Sequence, residues 1–174
     1  MAKRENPSIA RLVETLGIGQ PKAGERPERA ARRQSWLAEA AYARGDTAAA
    51  LAAATGALDG VAASNSRAEL RDPECRALLI AGRAYMAGRQ PAQAEAVLRR
   101  AVAVAEQTYD VGTSPQLAEA RVALASALLD LGQRDEASRL ADLAQRAHER
   151  HAHLDAGLRE ALAAVRKRLD QRPA

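Results

Sequence analysis

The chain has no phenylalanine, one tryptophan and three tyrosines, so aromatic residues make up only 2% of its 174 positions. β-branched and aromatic strand formers are scarce, which argues against a sheet-based core. There is a single cysteine, Cys75, so no internal disulfide can form, and a reducing compartment is the simplest expectation. No run of about 18 apolar residues is free of charge, so no membrane span is expected. The opening MAKRENPS is charged with no apolar stretch behind it, which predicts no secretory leader and a cytoplasmic protein. There is no glycine-rich phosphate loop and no zinc-type CxxC pair.

What the chain does have is alanine, about a quarter of all residues. Alanine is the best helix former, and its small side chain lets helices approach closely, so an all-α fold of tightly spaced helices is expected. The net charge is +4 and the pI near 9.7, with nearly all the basic residues arginine. That raises nucleic-acid binding. Yet the arginines are interleaved with acids, as in ERPERAARR and RDPECR, and the aromatics that stack on single-stranded bases are nearly missing.

Proline and glycine punctuate the sequence. Asn6-Pro7, Asp72-Pro73 and Ser114-Pro115 each put a capping side chain before a proline, which is tolerated in a first helical turn. Pro27 and Pro91 mark similar starts, while Gly17, Gly45, Gly88 and Gly132 mark ends. The pattern predicts a short helix over 7–16, a linker over 17–26, and helices over 27–44, 47–60, 73–87, 91–109, 115–131, 134–152 and 155–170. Residues 1–26 thus form one unit and 27–174 the main domain. Ile9, Leu12, Val13 and Leu16 give the first helix one apolar stripe. It reads either as a cap folded on the first face of the domain or as a docking segment for a partner or a second copy.

The chain also repeats itself. Ala50, Ala54 and Ala57 match Ala94, Leu98 and Ala101, which match Ala137, Ala141 and Ala144, at offsets of 44 and 43 residues. Spacings of four and three put each trio on one helical face. A large-small pair precedes each trio: Leu37-Ala38, then Ala81-Gly82 or Ile80-Ala81, then Leu124-Ala125. The middle register is open by one residue, and Trp36 stands directly before the first pair.

Segments LAEAAYARGDTAAALAAATGAL, AGRAYMAGRQPAQAEAVLRRAV and LASALLDLGQRDEASRLADLAQ resemble the tetratricopeptide repeat (TPR) family. The 43–44-residue period is similar to the longer-period variants of kinesin light chains and bacterial regulators. The resemblance implies a right-handed superhelical solenoid of three helix pairs. A C-terminal capping helix would follow, with Leu158, Leu162, Val165 and Leu169 facing in and Arg159, Arg166, Lys167 and Arg168 facing out.

It also implies that the first helix of each pair lines a concave groove that holds another protein. By that pattern the groove would present Ser35, Glu39 and Tyr42, then Arg76, Leu79, Arg83 and Met86, then Glu119, Val122, Ser126 and Leu129. Leu79, Met86 and Leu129 read equally well as core. The mixture suits a partner segment with a hydrophobic anchor and an acidic side chain. Family members that clamp a chaperone's C-terminal carboxylate place Lys and Asn where Ser35 and Glu39 stand, which speaks against that specialisation.

No catalytic residue, cofactor or resident metal is assigned. His148, His151 and His153, with Glu149 and Asp155, have helical spacing compatible with an ion, but cationic histidine also suits a helix C-terminus. Cys75 follows acidic neighbours and reads as a small buried residue. Asp135 and Glu136 read as first-turn acids. The expected function is a non-enzymatic adaptor or scaffold. Alternatives are a small TPR chaperone for a secretion or assembly substrate and, less well supported, a basic nucleic-acid binder.

Overall fold

The computed structural model describes residues 24–150 and 156–171, and all regular structure among them is helical. Seven α-helices follow one another: α1 Pro27–Ala43, α2 Thr47–Ala63, α3 Arg71–Ala87, α4 Pro91–Thr108, α5 Pro115–Asp130, α6 Arg134–Arg150 and α7 Ala156–Asp170. The helix expected over 7–16, most of the linker, His151, His153 and Asp155 lie outside the described residues.

Each helix packs on the next, most extensively within α1/α2, α3/α4 and α5/α6. The odd-numbered helices also pack on one another in order, α1 on α3, α3 on α5 and α5 on α7. This pattern is compatible with a helical-repeat solenoid. None of the helices among the described residues is long and apolar enough to cross a membrane.

All nine positions of the repeated small-residue trios, from Ala50 to Ala144, are completely buried. Their four-and-three spacing therefore does mark the face that meets the first helix of each pair. Asp46 caps α2 by accepting from the Ala49 N–H at 2.9 Å, and Ser114 caps α5 by accepting from the Leu117 N–H at 3.2 Å. Asp72 does not cap: a 3-10 turn at Arg67–Leu70 leads straight into α3, which starts before Pro73. Likewise α2 continues past Gly60, where a Cβ would lie only 3.0 Å from the Pro27 carbonyl oxygen, so the missing side chain allows the close packing of α2 on α1.

The three turns inside the pairs are closed the same way. The N–H groups of Asp46, Gln90 and Gln133 donate to the carbonyls of Ala41, Tyr85 and Leu128 at 3.0, 2.9 and 2.8 Å. In the first and third turns a glycine takes the left-handed conformation, Gly45 at φ 80° and Gly132 at φ 76°. In the second it is Arg89, at φ 55°, and not the preceding Gly88. Gly88 still ends α3, as its place in the sequence implied, with its N–H donating to the Ala84 carbonyl at 3.0 Å. Aligning Gly45, Arg89 and Gly132 settles the middle register on Ala81-Gly82 as the counterpart of Leu37-Ala38 and Leu124-Ala125.

A left-handed L-residue costs roughly 1–2 kcal/mol, partly offset by the greater unfolded-state freedom of glycine. Arg89→Gly is therefore expected to stabilise the protein by about 0.5–1 kcal/mol. Urea denaturation checks this, and a lower midpoint would contradict it.

Candidate functional site

A concave groove of about 440 Å³ runs across the odd-numbered helices. Tyr42 of α1, Arg83 and Met86 of α3, and Glu119, Val122 and Ser126 of α5 form one part of it. The other wall is α7, through Leu158, Ala161, Ala164, Val165 and Arg168. The floor is apolar, and the charged groups sit among side chains that are only partly exposed.

Six of the residues expected to line a groove are therefore brought together, one or more from each first helix. The other five are placed elsewhere. Ser35 is 1% exposed and its hydroxyl donates to the Arg32 carbonyl at 2.8 Å, so it does not reach the surface. Leu79 is buried in the central core cluster, and Leu129 packs half-buried against the same cluster. Glu39 and Arg76 face each other across α1 and α3, beyond the groove itself.

Both arginines expected to receive an acidic partner are already occupied. Arg76 bonds Glu39 at 3.2 Å and Asp72 at 3.1 Å, and its guanidinium lies 3.7 Å above the Trp36 ring. Arg83 bonds Glu119 at 3.1 Å. Arg99, on the outer side of the molecule, pairs with Glu95 and with Glu136, and these bonds raise its pKa while holding the Glu136 carboxyl below its ordinary value. The interleaving of basic and acidic residues in the sequence is thus realised as ion pairs between helices, many of them joining one pair to the next.

The residues that sequence reasoning missed are those of α7. Leu158, Leu162 and Val165 do face in, as their spacing required. Arg168, expected to point outward, instead turns back to α5: it pairs with Asp130 and donates to the Ser126 hydroxyl at 3.2 Å. Ala161 and Ala164, small and exposed, leave the groove open beside it. The signal available was the apolar spacing of α7, but it does not distinguish a stripe that seals a core from one that also borders a cleft. Among α7's other basic residues Arg159 and Lys167 are exposed, whereas Arg166 bonds Asp142 at 2.7 Å.

Among the described residues, no group of three or more His, Cys, Asp or Glu side chains is placed to hold a metal ion. His148 and Glu149 lie in the last turn of α6. Cys75 is 3% exposed, as a small interior residue should be, with its Sγ 3.8 Å from the Ala101 carbonyl oxygen. Burial, aided by Asp72, pushes its thiol from near 9 up to about 12. The neighbouring Tyr109 hydroxyl is raised too, by burial and by its bond to Asp72.

An acid whose pKa is raised on folding ionises first in the unfolded chain. Its contribution is complete below about pH 9 and is lost as the pH climbs towards about 12. The thermal midpoint is therefore expected to fall above pH 9, with Cys75→Ala flattening the decline. A profile equally steep in wild type and variant would contradict the assignment.

Compared with known proteins, the chain matches no family model and is similar to no curated sequence at a significant level.

Proposed function

We propose that the chain is a tetratricopeptide-type interaction module, an adaptor or scaffold without enzymatic chemistry, which holds a segment of another protein in the groove. The observation that carries this reading is the groove itself: an apolar trough of about 440 Å³ to which four helices contribute. That volume falls in the range of ~300–1,000 Å³ typical of ligand-binding clefts. An amphipathic helix or extended segment could set two or three apolar side chains into it.

The internal pairing of Arg76, Arg83 and Arg168 narrows the partner's chemistry. An acidic side chain would have to displace Glu39, Glu119 or Asp130, so the anchor is apolar and the flanking contacts are uncharged. The same pairing weighs against nucleic acid, whose binding rests on free cations facing the phosphates.

The test is a peptide library displayed against the full chain, followed by affinity measurement on variants. Ala164→Arg fills the groove from an exposed position and is expected to weaken selected peptides at least tenfold, about 1.4 kcal/mol. Ala48→Arg, on the exposed side of α2, is expected to leave affinity unchanged. Equal binding by wild type and Ala164→Arg would remove the groove from consideration.

A further inference from the structure

Trp36 is 59% exposed on a chain that otherwise hides its large apolar side chains, with Val111 in a loop the other exception among the described residues. The Arg76 guanidinium lies 3.7 Å above its ring, and the residue is open to this extent with that contact made. With Gly45 and Arg89 aligned, Trp36 corresponds to Ile80 of α3, which is 3% exposed and clusters with Ala50, Ala54 and Ala57 of α2. The same position is thus interior on α3 and open on α1, with a half-buried Leu37 and Ala40 beside it.

Arg29 and Arg32 stand seven and four residues before Trp36, so the three share one stripe of α1 about 10 Å long. Both arginines are exposed, and neither has a carboxylate partner among the described residues; Arg32 donates only to the Glu69 carbonyl at 3.3 Å. That bond sets the 3-10 turn Arg67–Leu70 against α1, and with it Arg67, a third exposed arginine without a carboxylate. Of the acids nearby, Glu25 is bonded to Arg33, Glu28 to the Ser64 hydroxyl, and Glu39 and Asp72 to Arg76. The groove is the reverse case, since both of its arginines, Arg83 and Arg168, are paired.

We infer that this stripe of α1 is a second interaction surface, which receives an acidic segment of a partner protein carrying a large apolar side chain among its carboxylates. None of Arg29, Arg32, Trp36 and Arg67 lines the groove, so the surface does not depend on what the groove holds. Charge complementarity selects the occupant. Arginine presents a planar fork to a carboxylate, and two carboxylates on Arg29 and Arg32 bring the adjoining apolar side chain against Trp36 and Leu37. Tryptophan and arginine are also the residue types that dominate interface hot spots. A phosphate backbone would match the arginines but leave Leu37 and Ala40 facing charge.

The probe is a display library of random peptides panned against the full chain. One class of selected peptides is expected to combine Asp or Glu with a large apolar residue, and to alter the emission of Trp36, the only tryptophan. Arg29→Glu, Arg32→Glu weakens this class at least tenfold, and Trp36→Ala does so as well. Arg139→Glu, Arg146→Glu makes the same change of charge at exposed positions of α6 and leaves the affinity within twofold, as does Ala164→Arg in the groove. Circular dichroism confirms that each variant keeps its helices. Selection of no acidic class, or equal loss in the α6 variant, would overturn the inference. So would tighter binding of a single-stranded RNA or of phosphatidylserine vesicles through the same two arginines, which would assign the surface to phosphates.

Discussion

Leu98→Ala is expected to lower stability by about 2–5 kcal/mol in the wild-type chain, and by clearly less when Gly82 is also changed to alanine. Both residues are fully interior, and a Cβ built on Gly82 would lie 2.4 Å from the Leu98 Cγ. The counterparts of this pair are Ala38 with Ala54 and Ala125 with Ala141, all completely buried. The middle repeat therefore fills with glycine and leucine the space that the outer two fill with two alanines.

Two effects compete in Gly82→Ala alone. Alanine improves helix propensity by about 1 kcal/mol, while forcing a methyl group into Leu98 costs about 1–3 kcal/mol. The clash wins, so the single variant is destabilised in spite of the better helix former. In the double variant the alanine methyl occupies part of the cavity that Leu98→Ala opens, giving a coupling of about 1–2 kcal/mol. A double-mutant cycle by urea denaturation measures it directly. Strict additivity would show that the two side chains do not share one space.

The second large effect concerns Arg121, an arginine whose side chain is only 3% exposed. Its counterparts are Gln34 and the fully buried Leu78, so the position is an interior one. The guanidinium bonds Glu106 at 3.1 Å and the Val111 carbonyl at 3.3 Å, while its Nε has no partner. Glu106→Ala leaves the buried cation with one carbonyl. The cost of breaking a buried pair is about 3–5 kcal/mol, and the partial exposure of Glu106 brings the expectation to about 2–3 kcal/mol. Arg121→Leu removes charge and desolvation cost together, and is expected to stay within about 1 kcal/mol of wild type. If Arg121→Leu proved the more damaging of the two, the tie to the Val111 loop would outweigh the ion pair.

The sequence disclosed the interior of the second helices almost completely, because small residues four and three apart have no other reason to recur in phase. The helix start marked by Ser114 was legible as well, since a cap acts within its own turn. Arg89 was not legible: nothing in a string of letters separates a left-handed arginine from a helical one next to a glycine. Ser35 reads as a polar surface residue, yet a hydroxyl can satisfy itself on the Arg32 carbonyl and be buried at little cost. The free-looking arginines misled in the opposite sense, because whether a cation is available depends on which carboxylate the neighbouring helix brings beside it.

The helical class of the described residues, the phase of the repeats and the face each second helix turns inward were determined by the sequence alone. These follow from a 3.6-residue period acting over a few residues at a time. Which helices adjoin, and at what height, was decided only in the tertiary structure. That offset drew Arg76, Arg83 and Arg168 onto carboxylates of neighbouring helices, turned α7 into a wall of the groove, and left Trp36 open where its counterpart Ile80 is covered. Contacts between residues far apart in the chain depend on the separation and crossing of whole helices, and no local period encodes those.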